Sequence, residues 1–426
     1  MLKQIPVEDL EVGMFVHRFE GNWFDHPFWK AKFLVADESR LAAIRASRVR
    51  GVVIDTSKGR DLAAARTAPA PMPAITAPPA STAAARIGAI KRRTVAQLAE
   101  PRPASFAEEV ERAAGIAEQG RERLGRLQLD ARLGKALDIR KVEPVVGDIL
   151  ASVRRNPQAF SGLMRCKLKN EAVFRRALSV SALMIALAGR MKLTGQEMRE
   201  CGLAGLLLDI GVNYLPQADP VLAGENRARD ERIWQSHVLL GYRALQNDDT
   251  LPRAVLDACL FHHERIDGLG YPQRRAGDDI PMIARMAAIC DSFEFLLAGT
   301  PGRAPLDPAH AVEALRDQKG AFDEDILRMF IETIGLYPVG SFVTLESGRI
   351  AMVIDEDRKD PMRPVVLAFY SLAARERILT QRIALAEPGA RERIVGIADL
   401  SGLELPEDAQ LRELVFLSAC RTAQPA

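Results

Sequence analysis

Three of the six histidines in the chain, His237, His262 and His263, lie near one another in sequence, with Asp209 upstream and Asp291 downstream. A neutral imidazole is a good ligand for Fe, Mn, Zn or Ni, and a carboxylate can bridge two such ions. Each residue alone also has an ordinary structural interpretation, as a core or capping histidine or as an aspartate paired with an arginine. The set as a whole favours a metal centre, because Asp209 stands in the apolar run LLLDIG, where an unpaired carboxylate is costly to bury.

These residues belong to a long stretch, residues 105–335, whose apolar positions recur with helical spacing. Ser105 and Glu108 have the spacing of a capping box, which predicts that the first helix of the stretch begins there. Leu203 to Ile210 is apolar almost throughout, so we expect a helix that is buried on most faces and that carries Asp209. A helical bundle can bring ligands from different helices to one point.

Residues 1–60 are predicted to form a small α/β or mostly β module. One helical stretch, Glu38 to Arg48, lies among short apolar runs typical of strands, which are Met14 to Val16, Phe33 to Val35 and Gly51 to Ile54. Residues 61–104 are rich in Ala and Pro and cannot bury a core, which predicts a flexible or partly extended linker. We interpret its basic cluster, Lys91 to Arg93, as solvated charge; contact with a nucleic acid or a lipid head group is the alternative.

Strand patterns replace helical ones towards the C-terminus. A hairpin is predicted where two apolar runs flank Glu346-Ser347-Gly348, and a third strand follows; the three runs are Val339 to Leu345, Arg349 to Ile354 and Val365 to Phe369. We therefore interpret residues 336–395 as a small β extension and residues 396–426 as a tail with one helix and a frayed end. The predicted fold class is mainly α: a helical bundle with a small N-terminal α/β module and a short C-terminal β extension.

Composition excludes several classes of protein. The 426 residues suffice for two to four domains, and 58 basic against 56 acidic residues is not the basic excess expected of a nucleic-acid binder. The five cysteines have no CxxC spacing and are expected to be reduced core residues. No signal-peptide pattern opens the chain, and the most apolar helical stretch, Val180 to Ala188, is far short of the ~20 residues of a membrane span. The sequence thus predicts a cytoplasmic protein without a membrane span, and it lacks GxGxxG, GxxxxGK[ST] and GxSxG motifs.

The segment HHERIDGLGYPQRRAGDDIPMIARMAAICD, residues 262–291, carries many motif positions at once. They are His262-His263-Glu264, Asp267-Gly268-Leu269-Gly270-Tyr271-Pro272, Ile280-Pro281 and Asp291. The segment closely resembles the signature of the HD-GYP family of bacterial cyclic-di-GMP phosphodiesterases.

The resemblance extends outward along the chain. GLAGLLLDIG is similar to the family's His-Asp helix, and His237 with Gly241 is similar to its downstream histidine motif. Residues 1–57, with VGMFV, PFW and VVIDT, resemble the N-terminal module of unknown function that often precedes this domain. YPVGSFVTLESGRIAMV resembles the short C-terminal β extension of the same subgroup.

The resemblance implies a two-metal site at which metal ions activate a hydroxide for in-line attack on a phosphodiester. It implies one ion held by Asp209, His237, His262 and His263, all of which are present. It implies a second ion held by Asp209 and Asp291 together with two further histidines. Asp209 would then be the catalytic carboxylate.

The resemblance also implies a loop that contacts partner signalling proteins such as diguanylate cyclases. In this chain that loop is Gly270-Tyr271-Pro272, which is intact. The alternative is a purely structural loop, in which Gly and Pro set a turn that positions His262 and His263.

Four positions depart from the family pattern. Leu208 replaces the histidine of the His-Asp pair, and Arg176 stands at an earlier ligand histidine when RALSVSAL is aligned with the family. Val212 replaces a lysine that would face the phosphate. Thr300 replaces the first arginine of an Arg-Pro-Tyr-Arg motif, so Arg303 remains as the substrate-binding basic group.

These departures remove two ligands of the second ion. Leucine cannot ligate a metal and a guanidinium stays protonated, so we expect one Fe or Mn ion at most, with Zn also suited to the ligands, and none if the site is fully degenerate. We expect Arg176 to take the place of the lost ion by pairing with Asp209 or Asp291, which would otherwise be buried and uncompensated. An Arg176 side chain that points to solvent is the alternative.

The sequence therefore predicts a degenerate HD-GYP regulatory protein of cyclic-di-GMP signalling with weak or no phosphodiesterase activity. Losing one charge-stabilising group commonly costs a factor of ~100–1,000 in rate, and several are missing. The alternative is an active metal-dependent cyclic-di-GMP phosphodiesterase that uses a reduced metal site. A nucleotide phosphohydrolase of the wider HD superfamily is less favoured, because the defining His-Asp pair is broken.

Overall fold

The computed structural model describes residues 2–20, 32–45, 51–60, 102–166, 172–215, 231–299, 302–357, 360 and 362–422. The chain divides into two compact units, residues 1–101 and 102–426. In the described ranges, no helix has both the length and the apolar character that crossing a lipid bilayer requires.

The first unit contains a four-stranded antiparallel sheet in the order β1-β4-β2-β3. Its elements are β1 (Leu2–Pro6), β2 (Phe15–Glu20), β3 (Phe33–Leu34), α1 (Glu38–Arg45) and β4 (Gly51–Asp55). The three predicted strands and the helix are confirmed, whereas β1 was not predicted. Buried aliphatic side chains from the sheet and from α1 form one core, which includes Ile5, Val16, Ile44 and Ile54. Residues 61–101 of the predicted 61–104 linker, with Lys91, Arg92 and Arg93, lie outside the described residues. The PFW motif and the predicted end of the helix at Arg48 also lie outside them.

The second unit is helical from residue 106 to residue 334. Its helices are α2 (Phe106–Arg132), α3 (Glu143–Arg155), α4 (Ala159–Cys166), α5 (Ala172–Arg190), α6 (Gly195–Leu207), α7 (Glu231–Gln235), α8 (His237–Leu245), α9 (Arg253–Phe261), α10 (Met282–Ala298), α11 (Pro308–Asp317) and α12 (Glu324–Ile334). The capping box predicted at Ser105 is confirmed, since its hydroxyl accepts the Glu108 N–H at 3.4 Å and Glu108 Oε2 accepts the Ser105 N–H at 3.1 Å. These bonds satisfy backbone donors that a helix start leaves unpaired.

The middle of the bundle consists of α5, α6, α9 and α10, which pack against one another. Phe261 on α9 and Phe293 on α10 are fully buried, and burying one such ring contributes about 1.5–3 kcal/mol to stability. All five cysteines are free, and four of them are buried, as predicted for core residues; Cys420 is half-buried. Because these four helices are fixed by a continuous apolar core, polar side chains at their ends and on their inner faces have defined positions.

A five-stranded antiparallel sheet in the order β8-β7-β6-β5-β9 follows the helices within the same unit. Its strands are β5 (Phe342–Leu345), β6 (Arg349–Asp355), β7 (Val365–Ser371), β8 (Glu376–Ala384) and β9 (Ile394–Ile397). The predicted hairpin is confirmed by the pairing of β5 with β6, and the predicted third strand is β7. The edge strands β8 and β9 were not predicted. A final helix, α13 (Asp408–Thr422), packs on α2 and on the sheet, in agreement with the one helix expected in the tail.

Candidate metal centre

The ends of several helices bring the candidate site residues together. His237 is the first residue of α8, His262 caps the C-terminus of α9 with His263 directly after it, and Asp291 lies inside α10. The prediction that Asp209 lies on the buried helix is wrong by two residues. The helix α6 ends at Leu207, and Asp209 begins the short 3-10 turn that follows.

Close backbone contact explains why the chain leaves the α-helix before Asp209. The turn that Asp209 begins packs on α8, and a Cβ added to Gly211 would lie 1.9 Å from the carbonyl oxygen of His237 and 2.5 Å from the backbone nitrogen of Gly241. Only glycine allows this approach. The two glycines therefore set Asp209 beside His237.

The three imidazoles face one another. Their candidate ligand atoms all lie within 4.8 Å of one another, a spacing that allows a shared metal ion. Nδ1 of His237 is 2.6 Å from the Trp234 carbonyl oxygen, and Nδ1 of His262 is 3.2 Å from those of Ala258 and Cys259. Such contacts orient the rings and leave each Nε2 for the site.

Asp209 completes a half-site with these rings. Its Oδ1 is 3.4 Å from Nε2 of His237 and 3.7 Å from Nε2 of His262. Within the described part of the chain, these three buried atoms have no hydrogen-bond partner. Since buried polar atoms in proteins are normally satisfied, three convergent unsatisfied ones fit a metal ion. The residues present thus fit one metal ion at this point.

The electrostatics suit a cation. Burial lowers the pKa of His237 to about 4, so the ring is neutral and its lone pair is available at neutral pH. Burial acts to raise the pKa of Asp209, but Arg176 together with His262 and His237 outweighs it and holds that pKa well below its ordinary value. Asp209 is therefore an ionised carboxylate.

Arg176 occupies the other side of Asp209. The guanidinium of this α5 residue donates to Oδ1 of Asp291 from Nε at 3.1 Å and from Nη2 at 2.5 Å, and its Nε is 3.6 Å from Oδ2 of Asp209. Burial opposes its charge, but Asp291 and Asp209 raise the pKa of Arg176. This is the pairing expected from the sequence, and it extends to both carboxylates. Asp291 lies against the arginine, and the residue is only 3% exposed.

The other departures from the family pattern are apolar or lie elsewhere. Leu208 is buried, and Val212 is a half-buried residue of the 3-10 turn, so neither supplies a ligand or a cation. Thr300 lies outside the described residues. Arg303 is exposed; its guanidinium lies 4.7 Å from the centre of the Phe295 ring and donates to the Phe295 carbonyl oxygen at 3.3 Å.

Two aromatic residues of the site region, Trp234 and Phe295, were not singled out from the sequence, and Glu264 was named there only as a motif position. Trp234 supplies the carbonyl oxygen next to His237, one turn earlier in the chain. Phe295 lies one helical turn after Asp291, and the guanidiniums of Arg176 and Arg303 both lie over its ring. Glu264, which the motif contains, is buried and accepts two backbone N–H groups of the following loop. The turn spacing from known site residues is the signal that could have identified the two aromatic residues.

A helical domain that presents a histidine and aspartate cluster of this kind defines an HD-type domain. A family model described as an HD domain matches residues 164–326, and a model for a domain of unknown function, DUF3391, matches residues 2–142. A cyclic di-GMP phosphodiesterase of Pseudomonas aeruginosa is 37% identical over 403 residues, which cover 93% of this chain and 92% of that protein. The chain belongs to the HD-GYP domain family, with the N-terminal module of unknown function.

Other relatives match a shorter stretch of the chain. A response-regulator cyclic di-GMP phosphodiesterase of Xanthomonas campestris is 31% identical over 136 residues, covering 31% of this chain and 35% of that one. A 3'3'-cGAMP-specific phosphodiesterase of Vibrio cholerae is 33% identical over 131 residues, covering 30% and 25%. A solved HDG"Y"P protein from Bdellovibrio bacteriovorus aligns over 78% of this chain and 99% of its own with a TM-score of 0.43 and 15% identity, which is too distant to decide details. The HD domain family is metal-dependent, and His237, His262 and His263 form a cluster whose ligand atoms are close enough to hold a metal ion.

Proposed function

We propose that this chain is a regulatory protein of cyclic-di-GMP signalling that binds cyclic di-GMP and hydrolyses it weakly or not at all. The observation that carries the proposal is the guanidinium of Arg176, which lies between the carboxylates of Asp209 and Asp291. In the two-metal arrangement that the family resemblance implies, those two carboxylates share an ion. A guanidinium at that position excludes a metal ion, because two cations repel each other at short range and the guanidinium already lies against the carboxylate oxygens that the ion would need.

The ligand follows from the relatives. The Pseudomonas aeruginosa protein that covers nearly the whole chain is named as a cyclic di-GMP phosphodiesterase, so we assign the same dinucleotide to this chain. Arg176 and Arg303, both over the Phe295 ring, are the cations that would meet its phosphates. Asp209, His237, His262 and His263 would hold one Fe or Mn ion.

The proposed loss of turnover rests on which groups remain. When bound, a single ion supplies Lewis acidity to a phosphodiester oxygen and lowers the pKa of water. The chain's own residues add Asp209 as the carboxylate beside the ion. They lack the lysine at position 212 and the two imidazoles that would hold a second ion, and each missing charge-stabilising group, the lysine or the ion, costs a factor of ~100–1,000. The proposed signal is therefore ligand occupancy, read by a partner protein.

The second candidate function is an active phosphodiesterase with a reduced metal site. The convergence of three imidazoles and an ionised carboxylate on one point favours it. Single-ion hydrolases show that one metal ion can suffice to activate water. Both candidate functions predict binding of cyclic di-GMP, and they differ in the rate at which it is hydrolysed.

An equilibrium-binding titration run beside a product assay separates them. Protein purified without oxygen and supplied with Fe(II) or Mn(II) is titrated with cyclic di-GMP, and linear product is measured by chromatography. We expect saturable binding with turnover at least about 100-fold below that of the Pseudomonas aeruginosa relative under the same conditions. Turnover within tenfold of the relative would establish the second candidate, and absence of both binding and turnover would rule out the proposed ligand.

A further inference from the structure

The three imidazoles of the half-site are oriented in two different ways. Nδ1 of His237 and Nδ1 of His262 contact backbone carbonyl oxygens of their own helices. The ring of His263 stacks on the ring of Tyr271, with centroids 4.7 Å apart and an interplanar angle of 23°. An offset stack of this kind stabilises a ring pair by about 0.5–1.5 kcal/mol and restricts its rotation.

Backbone contacts fix the position of Tyr271 relative to His263. The Tyr271 N–H donates to the His263 carbonyl oxygen at 3.1 Å. This bond closes a short loop between the candidate metal ligand, His263, and the tyrosine whose ring stacks on it. A Cβ added to Gly270 would lie 2.4–2.5 Å from backbone atoms of residues 263–265. Glycine at position 270 is therefore what brings the tyrosine back over the histidine.

A buried carboxylate ties the far side of this loop. Glu264 follows His263 directly, is 3% exposed, and accepts the N–H groups of Gln273 at 2.6 Å and Arg275 at 3.1 Å. Bonds from backbone N–H groups to an ionised carboxylate are among the stronger protein hydrogen bonds. The loop that carries Tyr271 is thus hydrogen-bonded to His263 at its start and to Glu264 at its end.

We propose that Tyr271 is a positioning residue for His263, so that the geometry of the 269–275 loop determines the metal affinity of the half-site. The inference rests on the proposed function only because both use the same half-site. The role of Tyr271 concerns the affinity of the half-site for a metal ion, whereas the proposed function concerns binding of cyclic di-GMP. The exposed tip of the same loop, where Leu269 is 77% exposed, gives a partner protein access to the residue that orients the ligand. Partner contact at the loop and metal occupancy are then linked.

The test uses Co(II) as a spectroscopic probe, with affinity measured by competition against a chromophoric chelator. Tyr271→Phe keeps the stacked ring, and Tyr271→Leu keeps apolar volume without it. We expect the leucine variant to bind Co(II) 10–100-fold more weakly, with altered visible absorption bands, as is typical when a residue that orients a metal ligand is changed. The phenylalanine variant is expected to stay within about twofold of the wild type.

Two further variants separate positioning from a loss of fold. Tyr337→Leu, at a half-buried tyrosine between α12 and β5, is the matched control and is expected to keep Co(II) affinity. Glu264→Gln weakens the hydrogen bonds that hold the loop and leaves the tyrosine ring unchanged, so we expect an intermediate, several-fold loss of Co(II) affinity. Unchanged affinity and spectrum in Tyr271→Leu, or an equal loss in Tyr271→Phe, overturns the inference. Absence of Co(II) binding by the wild type also overturns it, and the titration with cyclic di-GMP remains an independent measurement.

Discussion

Replacing Arg176 with methionine is expected to destabilise the metal-free protein by about 3–5 kcal/mol, because removing one partner of a buried ion pair leaves an uncompensated charge. Asp291 is 3% exposed and accepts two bonds from the guanidinium, and Asp209 loses its nearest cation at the same time. Urea unfolding followed by far-UV circular dichroism measures the change. Methionine preserves much of the apolar stem of arginine, so lost packing contributes little.

The adjacent arginine provides the matched control for this substitution. Arg175 lies next to Arg176 on α5 and is also half-buried, and Arg175→Met is expected to change stability by less than about 1 kcal/mol. The double variant Arg176→Met with Asp291→Asn removes both charges and is expected to be more stable than the sum of the single changes predicts. An Arg176→Met protein as stable as the wild type would show that the ion pair does not compensate these carboxylates.

Restoring the two missing histidines is expected to raise phosphodiesterase turnover by at least about 100-fold, since together they complete the ligand set of a second ion, and one such charge-stabilising group commonly contributes ~100–1,000-fold. The variant Arg176→His with Leu208→His removes the guanidinium from Asp209 and Asp291 and places imidazoles at both positions. The carboxylates then become available to a second ion. Turnover of cyclic di-GMP is compared in Fe(II) and in Mn(II) at equal protein concentration.

Single substitutions control for the double change. Arg176→His alone removes the competing cation but leaves Leu208 buried beside the site. Because the ligand set stays incomplete, we expect its turnover to exceed that of the wild type by less than tenfold. If the double variant hydrolyses cyclic di-GMP no faster than the wild type, the lost histidines are not what limits turnover. The missing lysine at Val212 would then be the next position to restore.

The parts of the fold that depend on local sequence pattern were predictable. The capping box at Ser105 and the hairpin at Glu346-Ser347-Gly348 are confirmed because both are decided by a few neighbouring residues. The edge strands β8 and β9 were missed. In β8 charged and polar residues interrupt the apolar ones, so the continuous apolar run that identified β7 is missing, and β9 is only four residues long and contains a glycine.

The site was predictable in its members and less so in its geometry. The resemblance to the family placed Arg176 at a ligand position, and charge reasoning then predicted that it pairs with Asp209 or Asp291, because a buried carboxylate needs a cation. The end of α6 before Asp209 depends on contact between Gly211 and α8, and α8 is distant in sequence from the pattern that predicted the helix. The stack of Tyr271 on His263 depends on the path of a loop, and the spacing of apolar residues in the sequence does not predict the path of a loop.

The metal content of the wild-type protein tests the central claim most directly, because that claim is the replacement of one ion by Arg176. Protein purified without oxygen is analysed for Fe, Mn and Zn against protein concentration, with the Arg176→His and Leu208→His double variant measured beside it. The account predicts one ion or fewer per chain for the wild type and a higher ratio for the variant. Two ions per chain in the wild type would contradict it, since the carboxylates of Asp209 and Asp291 would then share a metal that the guanidinium does not exclude.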